Sequence, residues 1–263
     1  MANLQWGIST ACMYPQPMEK TLKDFVRAGV ECTELFVNTF SEFSPAGARR
    51  YQRILREGPT RVVSVHPFTS VMEGLLLFSE YPGRFAEGME LYKRYFDFAA
   101  RMGARFVVLH GCIQPPGVPE ERYWERYDRL HRQAISQGVR LAQENVVRYM
   151  SGSLEMLRRM RENIPDVCFV LDLKQAVRSG YDPFQVLEVM GERIVHVHIS
   201  DHTPAADCLL PGRGGFDFEK LVQKLQVIHH DLSLVLELYR SDFSDFQDLV
   251  DSYLLVRKSG NNL

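Results

Sequence analysis

Gln137-Gly138-Val139-Arg140-Leu141-Ala142-Gln143-Glu144-Asn145 reads as a helix stop, followed at once by a short apolar run that ends in an acid. A glycine just past a helix tolerates the left-handed backbone that closes the last turn, and the alternating apolar residues after it predict a strand over 139–145. The same punctuation recurs at Ala28-Gly29-Val30, Met102-Gly103-Ala104 and Ile164-Pro165-Asp166. Working outward, runs rich in Val, Ile and Leu fall at 4–10, 30–37, 61–68, 106–112, 139–145, 167–174, 194–200 and 232–239, separated by longer amphipathic stretches. Such alternation predicts parallel strands joined by crossover helices.

Eight units without a break in composition favour a closed (β/α)8 barrel, and the whole span 1–263 is expected to be one domain. An open doubly wound sheet would carry a glycine-rich first turn for a nucleotide. Here the first strand runs into Ser9-Thr10-Ala11-Cys12-Met13, which has none. The loops at 69–82, 113–119 and 201–216 exceed what a plain connection needs. All three follow a strand, which in a barrel sets them over the active-site face.

Composition narrows the classes further. A hydrophobic share of 45% with 24% charged residues is that of a globular protein, and a net charge of −2 provides no field to gather a polyanion. The start MANLQWGIST lacks a basic, then apolar, leader, and no stretch is long enough to span a membrane. Five scattered cysteines without a C-x-x-C pair read as reduced thiols. The expectation is a cytoplasmic protein that binds neither nucleic acid nor membrane, with self-association left open.

Seven of the eight strand segments carry an acid or histidine able to face inward near the C-terminal end: Glu34, His66, His110, Glu144, Asp172, His198 and Glu237. Branched apolar side chains normally fill a barrel, and buried unpaired charge is costly, so this convergence needs a reason. A bound divalent cation supplies one. Carboxylates with imidazole and no thiolate suit manganese, magnesium, cobalt or zinc. His196 lies one inward layer below His198 and reads as structural, whereas His131, His229 and His230 are expected on helix surfaces.

The segments Thr33-Glu34-Leu35-Phe36, Ser64-Val65-His66-Pro67, Val108-Leu109-His110-Gly111, Gln143-Glu144-Asn145, Leu171-Asp172-Leu173, His196-Val197-His198-Ile199-Ser200-Asp201 and Leu236-Glu237-Leu238 follow one another in order. In that order and spacing the chain resembles the xylose-isomerase-like TIM barrels, which include tagatose and psicose 3-epimerases, hydroxypyruvate isomerase and apurinic-site endonucleases. The resemblance implies one metal held by Glu144, Asp172, His198 and Glu237, with Glu144 and Glu237 as the acid–base pair. It implies a substrate contact at the position of Gln175, where the family usually has a histidine, while His66 and His110 are candidates as substrate contacts, as metal ligands of the nuclease kind, or as satisfied core histidines. Lys174, Arg213 in the Pro211 to Gly215 loop, and Glu34 are further candidates for the substrate.

The resemblance also implies a reaction. An α-hydroxyketone loses a proton beside its carbonyl, a cation stabilises the enediolate, and a second carboxylate returns the proton. The substrate class is a sugar or sugar phosphate. A metal-dependent lyase of the inosose-dehydratase kind shares the intermediate and is the first alternative. The nuclease branch needs an Asp-x-His pair after strand seven, where this chain reads Leu210-Pro211-Gly212-Arg213-Gly214-Gly215. A non-catalytic sugar-binding barrel would not need the complete four-residue metal set.

Overall fold

The computed structural model describes residues 3–113, 118–228 and 230–261. Eight parallel strands close a barrel: β1 (Leu4–Ser9), β2 (Cys32–Val37), β3 (Arg61–Pro67), β4 (Phe106–Leu109), β5 (Arg140–Glu144), β6 (Cys168–Asp172), β7 (Ile194–Ile199) and β8 (Leu232–Leu236). Each pairs with its chain neighbour, and β8 returns to β1 to complete the ring. After β7 two short antiparallel strands, Asp201–Thr203 and Ala206–Leu209, form a hairpin over the C-terminal face.

The helices form because their apolar residues recur at helical spacing. Met18–Arg27 buries Met18, Thr21, Leu22 and Phe25, which share one stripe. That stripe packs on the outward faces of the strands in one continuous core with Ile8, Leu35 and Leu234. Each such side chain contributes about 1.5–3 kcal/mol on burial. Inward residues form a separate cluster of Phe106, Val108, Ala142, Cys168, Val170 and Val195. Counting by twos from these residues places His110, Glu144 and Asp172 on the same inward face, nearer the strands' C-terminal ends.

Two irregularities tune that face. The register slips between Thr33 and Glu34, which sets Glu34 beside Ser64 of β3, and again between Phe169 and Val170, which leaves Asp172 opposite His198. A bulge of this kind re-aims side chains locally.

The structure also corrects several sequence expectations. Strand β4 ends at Leu109 and β8 at Leu236, so His110 and Glu237 stand one residue past their strands. Strand β6 ends at Asp172, and a helix, Leu173–Arg178, starts immediately, so Lys174 is helical. Asp172 caps that helix through the Gln175 amide at 2.8 Å, which is why the apolar run does not continue as strand.

His131 is not a surface group: only 3% exposed, it stacks on Tyr127 four residues earlier, on the buried stripe of its helix. His230 is exposed but lies beyond the helix Phe218–Gln226, with Nε2 2.6 Å from the Ile194 carbonyl. His229 and residues 114–117 of the 113–119 loop lie outside the described residues. All five cysteines are buried. No described helix is long and apolar enough to cross a membrane.

Candidate metal and substrate site

His198, at the centre of the mouth, organises the inward groups. Its Nδ1 stands 3.4 Å from Glu144 Oε1, 3.6 Å from Asp172 Oδ2 and 3.3 Å from Glu237 Oε2. Its other nitrogen, Nε2, is 3.2 Å from Glu34 Oε2. One ligand atom from each of Glu144, Asp172, His198 and Glu237 falls within 4.8 Å of all the others. A buried acid on the far imidazole nitrogen fixes ring orientation and tautomer, as the outer partners of metal-bound histidines do.

The donor chemistry fits a divalent cation. Glu144 Oε2 and Asp172 Oδ2 are buried without a hydrogen-bond partner, an expensive state for carboxylate oxygens. His110 Nε2 approaches Glu144 Oε2 to 2.9 Å, but not along a hydrogen-bonding direction. Three carboxylates and one imidazole are the hard, oxygen-rich set that manganese, magnesium, cobalt and zinc accept.

Charge within the cluster is finely opposed. Burial pushes the Glu144 carboxyl up, but His110, His198 and His66 together hold it well below the ordinary range. Burial likewise acts on Glu237, and His198 with Lys174 overcome it, again downward. Asp172 is the exception: burial outweighs Lys174 and His198, and its carboxyl is raised. His66, which burial would lower, is lifted to about 9 by Glu144 and Glu34. His196 is lowered by burial and fits its expected structural place, with Nδ1 2.6 Å from Ser233 Oγ.

The family model of the xylose isomerase-like TIM barrel matches residues 22–255. The chain belongs to that family. Among sequences it is similar to an uncharacterized protein of Mycobacterium leprae, 26% identical over 234 residues that cover 79% of each chain. Among solved structures it resembles a D-tagatose 3-epimerase-like protein, with a TM-score of 0.80 and 16% identity over 98% of each chain. It also resembles the 3-keto-D-glucoside 4-epimerase of E. coli, with a TM-score of 0.76 and 18% identity over 98% of this chain and 100% of the other. At these identities the structural likeness is one of fold.

In this xylose isomerase-like barrel a cavity of about 950 Å³ opens above the cluster, and His66, His110, Glu144, Lys174, Gln175 and Glu237 reach it. His66 and His110 meet through their Nε2 atoms at 3.0 Å. Lys174 is buried with Nζ 3.0 Å from Glu237 Oε2 and 3.5 Å from Asp172 Oδ2. Gln175 faces the cavity, while its Oε1 accepts the Val147 amide at 3.1 Å.

Two candidates lie elsewhere. Glu34 is beneath the cavity, fully buried and bound by Ser9, Ser64, His196 and His198. Arg213 pairs with Asp248 at 2.8 Å and is not among the cavity-lining residues. Its loop is closed around buried Asp201, whose carboxylate accepts the amides of Gly212, Gly214 and Phe216 at 2.9–3.0 Å. A Cβ on Gly214 would stand 2.3 Å from Asp201 Oδ1, so only glycine permits this wrap.

Sequence reasoning missed Glu73. This buried carboxylate, first residue of the short helix Glu73–Leu76 that follows β3, accepts the amides of His110 at 2.8 Å and Gly111 at 2.5 Å, and the Tyr92 hydroxyl. It ties that helix to the chain just past β4 and so helps to place His110. Burial raises its carboxyl to about 7 against the pull of His110 and Tyr92. A helix of four residues is too short to show a period that would mark such an acid before its burial is known. Asn145 was visible beside Glu144, but its role was not: its side chain exchanges two hydrogen bonds with the Asp172 backbone, at 2.8 and 2.9 Å.

Proposed function

We propose that the protein is a divalent-metal-dependent sugar isomerase or epimerase that moves a proton at the carbon beside a carbonyl. The observation that carries this reading is the pair Glu144 and Glu237. Both line the cavity, and both approach the same His198 nitrogen, at 3.4 and 3.3 Å, from β5 and from the end of β8. Two carboxylates arranged about one point are what removal of a proton and its return from another direction require.

Glu144, Asp172, His198 and Glu237 would hold the cation, which supplies stabilisation of the negative charge that develops on the substrate's adjacent oxygens. The chain's own groups do the rest. Glu144 and Glu237 are both held in the ionised form. Lys174 fixes Glu237 by a direct ion pair. His66 and His110, paired with each other at the cavity floor, present imidazole nitrogens to substrate hydroxyls. Glu34 holds the His198 ring from below.

Replacing Glu144 or Glu237 by Gln keeps shape and removes the basic oxygen. Each change is expected to lower turnover of a converted ketose by about 10²–10⁴. Full activity in either variant contradicts the two-glutamate scheme. Product analysis separates it from dehydration, which would release water and leave an unsaturated or deoxy product.

A further inference from the structure

The cavity is larger than the chemistry needs. About 950 Å³ lies at the upper end of sites that engulf drug-sized ligands, roughly 300–1,000 Å³, and a single sugar ring leaves much of it unfilled. Its floor is polar, and its outer wall, where Asn38, Thr39, Ser70 and Ser241 also stand, includes Tyr14 and Pro15 after β1, Phe36 at the end of β2, Phe68 after β3, and Leu238 and Tyr239 after β8. Tyr14 is 57% exposed and Tyr239 48% exposed, so both rings are open to a ligand.

Tyr239 is exposed yet held. Arg178 donates to its hydroxyl at 2.7 Å, Asp207 grips Arg178 through two bonds of 2.7 and 2.9 Å, and Lys174 Nζ sits 5.0 Å from the ring centroid. A ring fixed before binding presents a flat apolar face at little entropic cost. The C–H face of a second sugar ring is complementary to it.

The wall is also poor in free positive charge. Among the described residues, the lysine and arginine that line the cavity are Lys174 and Arg240. Lys174 is engaged by Glu237, and Arg240 donates from both terminal nitrogens to the carbonyls of Phe243 and Ser244, at 2.9 and 3.1 Å. Neither offers the open fork that binds a phosphate. Arg178 beside them is taken by Asp207.

From these observations, and resting on the isomerase or epimerase reading above, we infer that the substrate is a neutral two-ring sugar. Its reacting ketose sits on the carboxylate floor and its second ring lies against the wall of Tyr14 and Tyr239. A phosphorylated monosaccharide would leave that wall unused and its phosphate unmatched.

The test compares lactulose, turanose and isomaltulose, each a ketose carrying a second ring, with D-fructose, D-tagatose and D-fructose 6-phosphate on the metal-loaded protein. At least one two-ring sugar is expected to exceed D-fructose in kcat/KM by about tenfold or more. D-fructose 6-phosphate is expected to gain nothing over D-fructose. Tyr14→Ala should bring the two-ring to one-ring ratio down toward one. Preference for the phosphate ester or for the free monosaccharides, or a ratio indifferent to Tyr14→Ala, overturns the inference. Equilibrium titration of the same six sugars, followed by protein NMR, gives an independent ranking. If none is turned over, the proposed reaction fails, while tighter binding of a two-ring sugar than of D-fructose still supports the inference and equal binding overturns it.

Discussion

Two layers of the same barrel face obey different physics. On β4, Phe106 and Val108 pack inward, and His110, two residues further, faces the cavity. On β6, Cys168 and Val170 belong to the apolar layer and Asp172 to the acid cluster. The spacing of two is continuous across the boundary, yet below it the side chains are chosen for volume and above it for charge. In the lower layer the cost of change is a void. In the upper layer it is an unpaired ion, and the layer is tolerated because nearly every charge there faces an opposite one.

The sharpest way to separate the layers is to damage the lower one. Phe106→Ala is expected to cost about 3–5 kcal/mol of stability, as large-to-small core changes do, while turnover per folded molecule is kept. Urea denaturation alongside an active-site titration measures both. A fall in turnover with no change in stability would mean that the layers are not independent.

Glu73, which holds the chain just past β4, should show itself through pH. Its carboxyl is raised from 4.5 to about 7 in the folded chain, so between those values the unfolded state gives up the proton first. Stability from this group is therefore fully present below about 4.5 and is lost as pH rises toward 7. Glu73→Gln should remove that part of the slope when unfolding midpoints are compared across the window. Identical slopes in wild type and variant would show that the three donors around Glu73 win over its burial.

The smallest effect is expected furthest from both layers. Arg213 is spent on Asp248 at the surface, so Arg213→Ala should shift stability by no more than about 0.5 kcal/mol and leave KM where it was. A large rise in KM would restore the sequence expectation that this loop contacts substrate.

The contrast also explains what was legible beforehand. The fold could be read because its signals are local and repeated: a glycine stop, then an apolar run, as at Gly138 and Val139. Glu144, Asp172, His198 and Glu237 could be read because acids and histidines at the ends of such runs have no packing reason to be there. Lys174 stands two residues after Asp172 in sequence, but its ion pair crosses from the helix after β6 to the residue just past β8. Glu73 sits on a helix too short to show a period, the Asp201 wrap and the fixed Tyr239 depend on loops, and the meaning of all three comes from partners 37, 15 and 61 residues away. His131 was misjudged for a related reason: a polar residue on a helix looks external until its stripe is known to be buried.

The central claim is that the four upper-layer residues form a cation site. Protein stripped with a chelator and titrated calorimetrically with manganese, magnesium, cobalt and zinc in turn tests it most directly, with Asp172→Ala and His198→Ala as controls. The account predicts that one equivalent of at least one cation binds the wild-type protein and that either substitution abolishes or greatly weakens this binding. No binding of any of the four cations, or binding that survives both substitutions unchanged, would contradict it.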